Sequence, residues 1–286
     1  MTDRIRVGGV PEHFNLPWRI AIEERAFLEH GLDVEFTDYP AGTGAMTAAL
    51  RDGSLDVAIV LTEGAVLDAL SGSGNRLVRV FVESPLTWGI HVAAASPVRD
   101  AGDIAGRPVA ISRYGSGSHL IAIVDAIERG FDPSAMEFVV VDTLDGARRA
   151  LADGDAEVFL WEKHMTQPLV DCGEFRRVGV REVPWPAFVV SVRPGMLDGR
   201  TDELRTMLDT VSEYSTRLKT DPRTVTLVAE RYGLEERDAA AWFRTVRWSG
   251  SGSCPEDAIR RIARALHAQG AIADPDVDPN AIWHSL

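Results

Sequence analysis

The residues with the most chemical potential lie in one short segment, Tyr114-Gly115-Ser116-Gly117-Ser118-His119, between an apolar run and the amphipathic stretch that opens at Leu120. Two glycines let a backbone come close to a bound group. Serine hydroxyls beside the first, unpaired amides of a helix form a seat for an anion. The plain alternative is a capped turn with Ser118 as the N-cap. A second turn of the same kind, Gly42-Thr43-Gly44, also precedes a helical stretch, and the pair favours ligand binding. Trp161 and Glu162 close an apolar strand, where an indole suits stacking on a flat or apolar ligand; the other reading makes Trp161 core and Glu162 an exposed charge. Trp185, between two prolines, is either a packing residue at a hinge or part of a binding floor. His13 and Phe14, and Thr62 and Glu63, follow two further predicted strands. His13, His119 and His164 fall in loops expected to converge, which raises a metal, but their spacing fits no metal motif and they read as hydrogen-bond donors or packing residues. There is no CxxC, HExxH, GxSxG or P-loop lysine motif. No catalytic residue, metal or cofactor is assigned.

The elements that must position these groups are announced by an internal repeat. Ala49-Leu50-Arg51-Asp52-Gly53-Ser54-Leu55-Asp56-Val57 returns 101 positions later as Ala150-Leu151-Ala152-Asp153-Gly154-Asp155-Ala156-Glu157-Val158. Each copy reads as a helix end, an Asp-Gly turn and an acidic residue that opens an apolar strand. The continuous apolar runs that follow suit strands buried on both faces of a parallel sheet. Around each copy strands and helices alternate, which predicts two similar α/β lobes. A single helix is expected from about Leu16 to His30, and a purely helical tail follows Pro194-Gly195.

With 286 residues the chain is long enough for two such lobes, and 45% hydrophobic with 26% charged residues is the balance of a globular protein. A net charge of −13 argues against nucleic acid or an anionic membrane as partner. No apolar stretch reaches the roughly 18 residues of a membrane span. The first ten residues enter an apolar run at once, without the three regions of a secretory signal. Cys172 and Cys254 lie far apart and read as free thiols in a reducing compartment. These features place the protein in the cytoplasm, or in the periplasm or outside only if a signal has been removed.

Two lobes, two crossings and a helical C-terminus resemble the type II periplasmic-binding-protein fold. The segment Ile20 to Glu35 is similar to the helix-to-strand signature of the SsuA/THI5-like (NMT1-like) group, substrate-binding proteins for sulfonates, taurine, nitrate and thiamine precursors. Arg25-Ala26 stands where that signature has Gly-Lys. Asp103-Ile104-Ala105-Gly106-Arg107-Pro108-Val109-Ala110 resembles the group's entry to the second lobe. Trp161 to Thr166 and Pro184 to Val189 look like a cytoplasmic branch without an assigned ligand. The resemblance implies a two-lobed α/β fold with residues 1–86 in lobe I, a crossing at 87–91, lobe II over 92–186, a second crossing at 187–194 and a lobe I helical part over 195–286. It implies a non-catalytic protein binding a small organic molecule with an anionic or polar head between lobes that close on a hinge. The cysteine-rich motif of the yeast pyrimidine synthases on this fold is absent. The alternative is a cytoplasmic enzyme, a lyase of the menaquinone-pathway type, with His13, His119 or Glu63 as base. A transporter or regulatory partner is left open.

Overall fold

A computed structural model describes residues 3–250, 252–268 and 270–286. The chain divides into two compact units, one of Met1–Ser84, Trp185–His267 and Ile272–Leu286, the other of Pro85–Pro184 with Ala268–Ala271. The first unit begins β1 (Ile5–Gly9), α1 (Leu16–Glu23), α2 (Ala26–Glu29), β2 (Val34–Asp38), α3 (Thr43–Asp52), β3 (Val57–Leu61), α4 (Thr62–Leu70) and β4 (Arg76–Val82). The second holds β5 (Thr87–Ala93), β6 (Val109–Ile111), α5 (Gly117–Glu128), β7 (Phe138–Val140), α6 (Leu144–Asp153), β8 (Val158–Glu162), α7 (Gln167–Asp171) and β9 (Phe175–Glu182). The chain then returns through β10 (Phe188–Val192) to α8 (Thr201–Thr220), α9 (Thr224–Tyr232), α10 (Glu236–Thr245) and α11 (Glu256–Ala268).

Each unit carries one five-stranded sheet, ordered β2-β1-β3-β10-β4 and β7-β6-β8-β5-β9. Three parallel strands stand beside one antiparallel strand, β10 in the first unit and β5 in the second. The repeated segment occupies the same place in both. Gly53 and Gly154 end α3 and α6 in left-handed conformation, at φ 78° and 81°, where only glycine escapes a steric cost. Leu55 N–H then donates to Ala49 O at 2.9 Å and Ala156 N–H to Ala150 O at 3.2 Å, the same bond 101 residues on. Asp56 N–H donates to Arg6 O, and Glu157 N–H to Pro108 O, which sets β3 on β1 and β8 on β6 in matching register.

Beside that register each acidic residue holds arginine. Asp56, 1% exposed, accepts from the Arg6 amide at 2.8 Å, from Arg6 Nε and Nη2 at 2.9 Å each, and from Arg193 Nε at 2.7 Å. One carboxylate thereby ties β1, β3 and the residue that follows β10. Glu157 pairs with Arg107 in the second unit. Burial pushes the Asp56 carboxyl up, but the bonds from Arg6 and Arg193 outweigh it and hold it below the usual carboxylate range.

One local expectation is corrected. The helix over Leu16–His30 is broken: α1 stops at Glu23 and α2 starts at Ala26, because Arg25 takes a left-handed φ of 61° and turns the chain. The expected crossings at residues 87–91 and 187–194 fall largely in strands β5 and β10. Among the described residues no helix is long and apolar enough to cross a membrane.

Replacing Asp56 by Ala leaves two arginines without their acceptor and is expected to cost about 2–3 kcal/mol in denaturant unfolding. Because the folded carboxyl titrates below its unfolded value, its contribution is whole above about pH 4 and is lost as pH falls through the folded value. The gap between Asp56→Ala and the parent is therefore expected to narrow in acid. Arg25→Gly removes a left-handed penalty of about 1–2 kcal/mol and adds roughly 0.4–1 kcal/mol of unfolded-chain freedom. A rise of about 1–3 °C in Tm is expected by calorimetry.

Candidate functional site

The richest polar loop belongs to the second unit, at the carboxyl end of β6. Ser112 leaves the strand, Gly115 turns the chain at φ 75°, and Ser116 caps α5, its hydroxyl accepting from the His119 amide at 3.3 Å. The cap is therefore Ser116 and not Ser118. Ser118 points back to the strand: its hydroxyl accepts from the Ser112 amide at 2.9 Å and lies 3.0 Å from Ser116 Oγ and 3.3 Å from Ser112 Oγ. All three serines are buried. Gly117 opens the helix outside the left-handed region. His119 Nδ1 accepts from the Gly115 amide at 3.2 Å, and its ring stands edge-on to Phe138 and Tyr114. Burial lowers its pKa, which favours the neutral ring. Tyr114 is 64% exposed.

Sequence reasoning missed Arg113 in this loop. It is half-buried directly after Ser112, and burial lowers its pKa from the usual guanidinium value. A cation between a strand-end serine and a glycine turn was the available signal.

At the end of β8, Trp161 is partly exposed, stacked on Phe159 at 5.3 Å between centroids and edge-on to Trp88 at 6.5 Å. Glu162 is not an exposed charge. It is buried, and its Oε2 accepts from the Met165 amide at 2.6 Å, closing the turn into α7. His164 is half-buried and pushed down to about 4 by desolvation, with Lys163 and Arg177 adding to the shift.

The first unit treats its expected residues differently. His13 is fully buried, stacked on Trp242 at 4.3 Å and 18° and edge-on to Phe14 at 4.7 Å. Phe14 is buried against Phe188 at 5.0 Å. Both sit in an aromatic cluster that the helical tail completes. Gly42 turns the chain at φ 74° before α3, and Gly44 lies within that helix. Buried Thr43 accepts from the Leu61 amide at 3.1 Å, joining the start of α3 to the end of β3. Thr62 donates from its hydroxyl to Pro186 O at 2.5 Å, and Trp185 Nε1 donates to Glu63 Oε2 at 2.9 Å. Two side chains at the start of α4 thus fasten the segment that enters β10, and Trp185 belongs to the first unit. Glu63 is 2% exposed and its Oε1 has no hydrogen-bond partner. Desolvation pushes its carboxyl up to about 7, against bonds from its own amide and Trp185. Glu12, half-buried after β1, was passed over in the sequence; desolvation pushes it up to about 7 as well. The three histidines are divided, His13 in the first unit and His119 and His164 in the second. No group of His, Cys, Asp or Glu able to hold a metal ion occurs among the described residues.

Comparison with known proteins places this geometry in a fold. A family model described as "Ca3427-like PBP" matches residues 88–181, within the second unit. No curated protein matches the sequence. The CA3427 gene product of Candida albicans, which exhibits the generic periplasmic binding protein fold, is 24% identical, with 99% of this chain and 96% of that one covered at a TM-score of 0.89. The alkanesulfonate-binding protein SsuA of Xanthomonas axonopodis pv. citri, bound to MOPS, is 17% identical over 100% and 99% of the two chains, with a TM-score of 0.83. The periplasmic aliphatic sulphonate binding protein SsuA of Escherichia coli is 17% identical over 99% and 93%, with a TM-score of 0.75. The two-lobed α/β architecture with crossover strands and C-terminal helices is thus that of type II periplasmic binding proteins, a fold shared with binders of small solutes. The expected cytoplasmic location is overturned, since the similar structures include the periplasmic aliphatic sulphonate binding protein SsuA of Escherichia coli and the periplasmic nitrate-binding protein NrtA of Synechocystis PCC 6803. That expectation leaned on residues 1–10, of which Ile5–Gly9 form strand β1 and speak to the fold, not to an address.

Partial exposure separates Trp161 from the core indoles. Trp161→Ala is expected to lose about 1–2 kcal/mol in denaturant unfolding, whereas Trp242→Ala, at a site 2% exposed, is expected to lose about 3–5 kcal/mol.

Proposed function

We propose that this protein is a non-catalytic binder of a small organic anion, of the sulfonate or carboxylate class, whose charged head is held by the loop from Ser112 to His119. The observation that carries the reading is the buried serine trio at the start of α5. Three hydroxyls and the first-turn amides of a twelve-residue helix meet in one turn. Preset donors of this kind recognise tetrahedral or planar oxyanions without reorganising. Trp161, open on one side at the end of β8, gives the solute's body an apolar surface. The sulfonates bound by the two similar SsuA proteins belong to the same chemical class. Binding is favoured over catalysis because two bases of the enzyme reading are engaged: His13 lies inside an aromatic cluster, and His119 Nδ1 accepts a backbone amide.

Mass spectrometry of small molecules released from the purified protein is expected to find an organic sulfonate or carboxylate. Recovery of neutral molecules alone would remove the reading. In thermal-shift titrations with linear alkanesulfonates, the parent is expected to gain stability with added ligand. Gly117→Val, whose branched side chain covers the first-turn amides, is expected to keep its own Tm within about 2 °C and lose that gain. A full ligand response in Gly117→Val would show that the head group is bound elsewhere.

A further inference from the structure

A cavity of about 210 Å³ lies in the second unit beside the second and third turns of α5. None of its lining residues belongs to the loop from Ser112 to His119. Its floor is buried: Ala122 and Ala126 of α5, Val109 of β6, Leu160 of β8 and Ile104 are each no more than 9% exposed. Its mouth opens to solvent between Gly106 on one side and Ala135 on the other, both exposed. The space exists because the side chains around it are short. Ala122 and Ala126 stand one turn apart on one face of α5, where leucine-sized residues would fill it.

Directed bonds hold the walls apart. The Phe131 amide donates to Ala126 O at 2.8 Å, which folds the chain back after α5 at Gly130, φ 77°. The short turn Pro133–Ala135 is capped by Asp132, whose Oδ1 accepts from the Ser134 amide at 2.9 Å and its hydroxyl at 2.8 Å. Bonds within the protein also occupy the charged groups of the lining. Asp125, 1% exposed, accepts from Arg129 Nε at 2.7 Å and forms an ion pair with Arg181 Nε at 3.2 Å. Arg107 pairs with Glu157 and donates from Nε to Asp103 O at 2.8 Å. With its acids and its arginine engaged, the cavity offers a guest mainly hydrocarbon contact. A charged guest would lose its water there and gain no counter-ion.

We propose that this cavity is a binding site for a small uncharged aromatic molecule, a single ring with at most a short substituent. An apolar cavity of about 150 Å³ stays dry and takes up benzene, so this larger space accepts one substituted ring. Half-buried Phe131 and Met136 also line it, and a ring and a thioether are partners that favour an aromatic guest over an alkane. Burial of the guest's apolar surface drives binding, and the floor side chains regain the dispersion contacts that the gap denies them. The site lies within one unit and shares no residue with the serine loop, so the proposal is independent of the reading of that loop as an anion seat.

Nuclear magnetic resonance of the full chain, labelled with ¹³C at its methionine methyl groups, tests the proposal with toluene, methylcyclohexane and benzylammonium as probes. Of the six methionines only Met136 lines the cavity, while Met46, Met196 and Met207 are buried in the first unit and serve as references. Toluene is expected to shift the Met136 methyl resonance saturably, with a Kd below about 1 mM, and to leave the three references in place. Read at Met136, methylcyclohexane is expected to bind at least about threefold more weakly, and benzylammonium at least about tenfold more weakly. Ala126→Leu, which fills the floor, is expected to weaken toluene binding at least about tenfold. If toluene produces no saturable shift at Met136, or shifts the references in parallel, the site is overturned. Equal binding of methylcyclohexane would remove the aromatic class, and equal binding of benzylammonium the uncharged one. A full toluene response in Ala126→Leu would place the guest elsewhere and overturn the proposal. Should Ala126→Leu not fold, the three titrations on the parent decide.

Discussion

Asp56 fixes the centre of the first unit. Its carboxylate accepts four hydrogen bonds, from the Arg6 amide, the Arg6 guanidinium and Arg193, so β1, β3 and the end of β10 meet at one buried acid. Through this clamp the long crossover from β3 to β10, which takes the chain through the whole second unit, closes back on its starting sheet. Long-range strand pairing carries an entropic cost that grows with the loop it closes. A charged, multiply bonded anchor helps offset that cost where apolar contacts alone leave register ambiguous. In the second unit Glu157 and Arg107 stand in the corresponding place with a single ion pair, joining β8 to the residues that precede β6.

Anchoring the amino ends leaves the carboxyl ends of the parallel strands free for other chemistry. The two units use that freedom differently although they share a scaffold. In the second, the strand-end residues are small and hydroxylated, and they gather donors around a helix start. In the first, they are acids and aromatics, and they gather acceptors and closed packing. A repeated backbone motif fixed by left-handed glycines thus carries two unlike sets of side chains.

Much of the scaffold was legible because backbone chemistry is local. Asp52-Gly53 and Asp153-Gly154 announce a helix end and a strand start from five residues, and the structure repeats even their hydrogen bonds. Gly42 was found as the turn before a helix, and Thr62 and Glu63 as strand-end positions, by the same logic. What stayed hidden depends on partners distant in sequence. His13 and Phe14 have the form of loop residues, and only α10, more than two hundred positions later, brings Trp242 to stack on the imidazole. Glu162 read as a ligand contact or an exposed charge, and neither reading anticipates the turn into α7 that sets the Met165 amide against it. The break at Arg25 was unreadable from propensity, since arginine is a good helix former and yet takes a left-handed φ between α1 and α2.

Glu63 and His13 show how far residue type alone can lead. Both are ionisable, both follow strands of one sheet, and both are buried at their strand ends. His13 is surrounded by rings and serves as packing. Glu63 is held through one oxygen by a single directed donor and keeps the other uncommitted, an arrangement that aromatic packing does not require. A carboxyl that only had to fill space at this position could be replaced by glutamine or leucine at no electrostatic cost. The acid is retained inside a protein of strongly negative charge, where each further buried carboxylate is harder to accommodate.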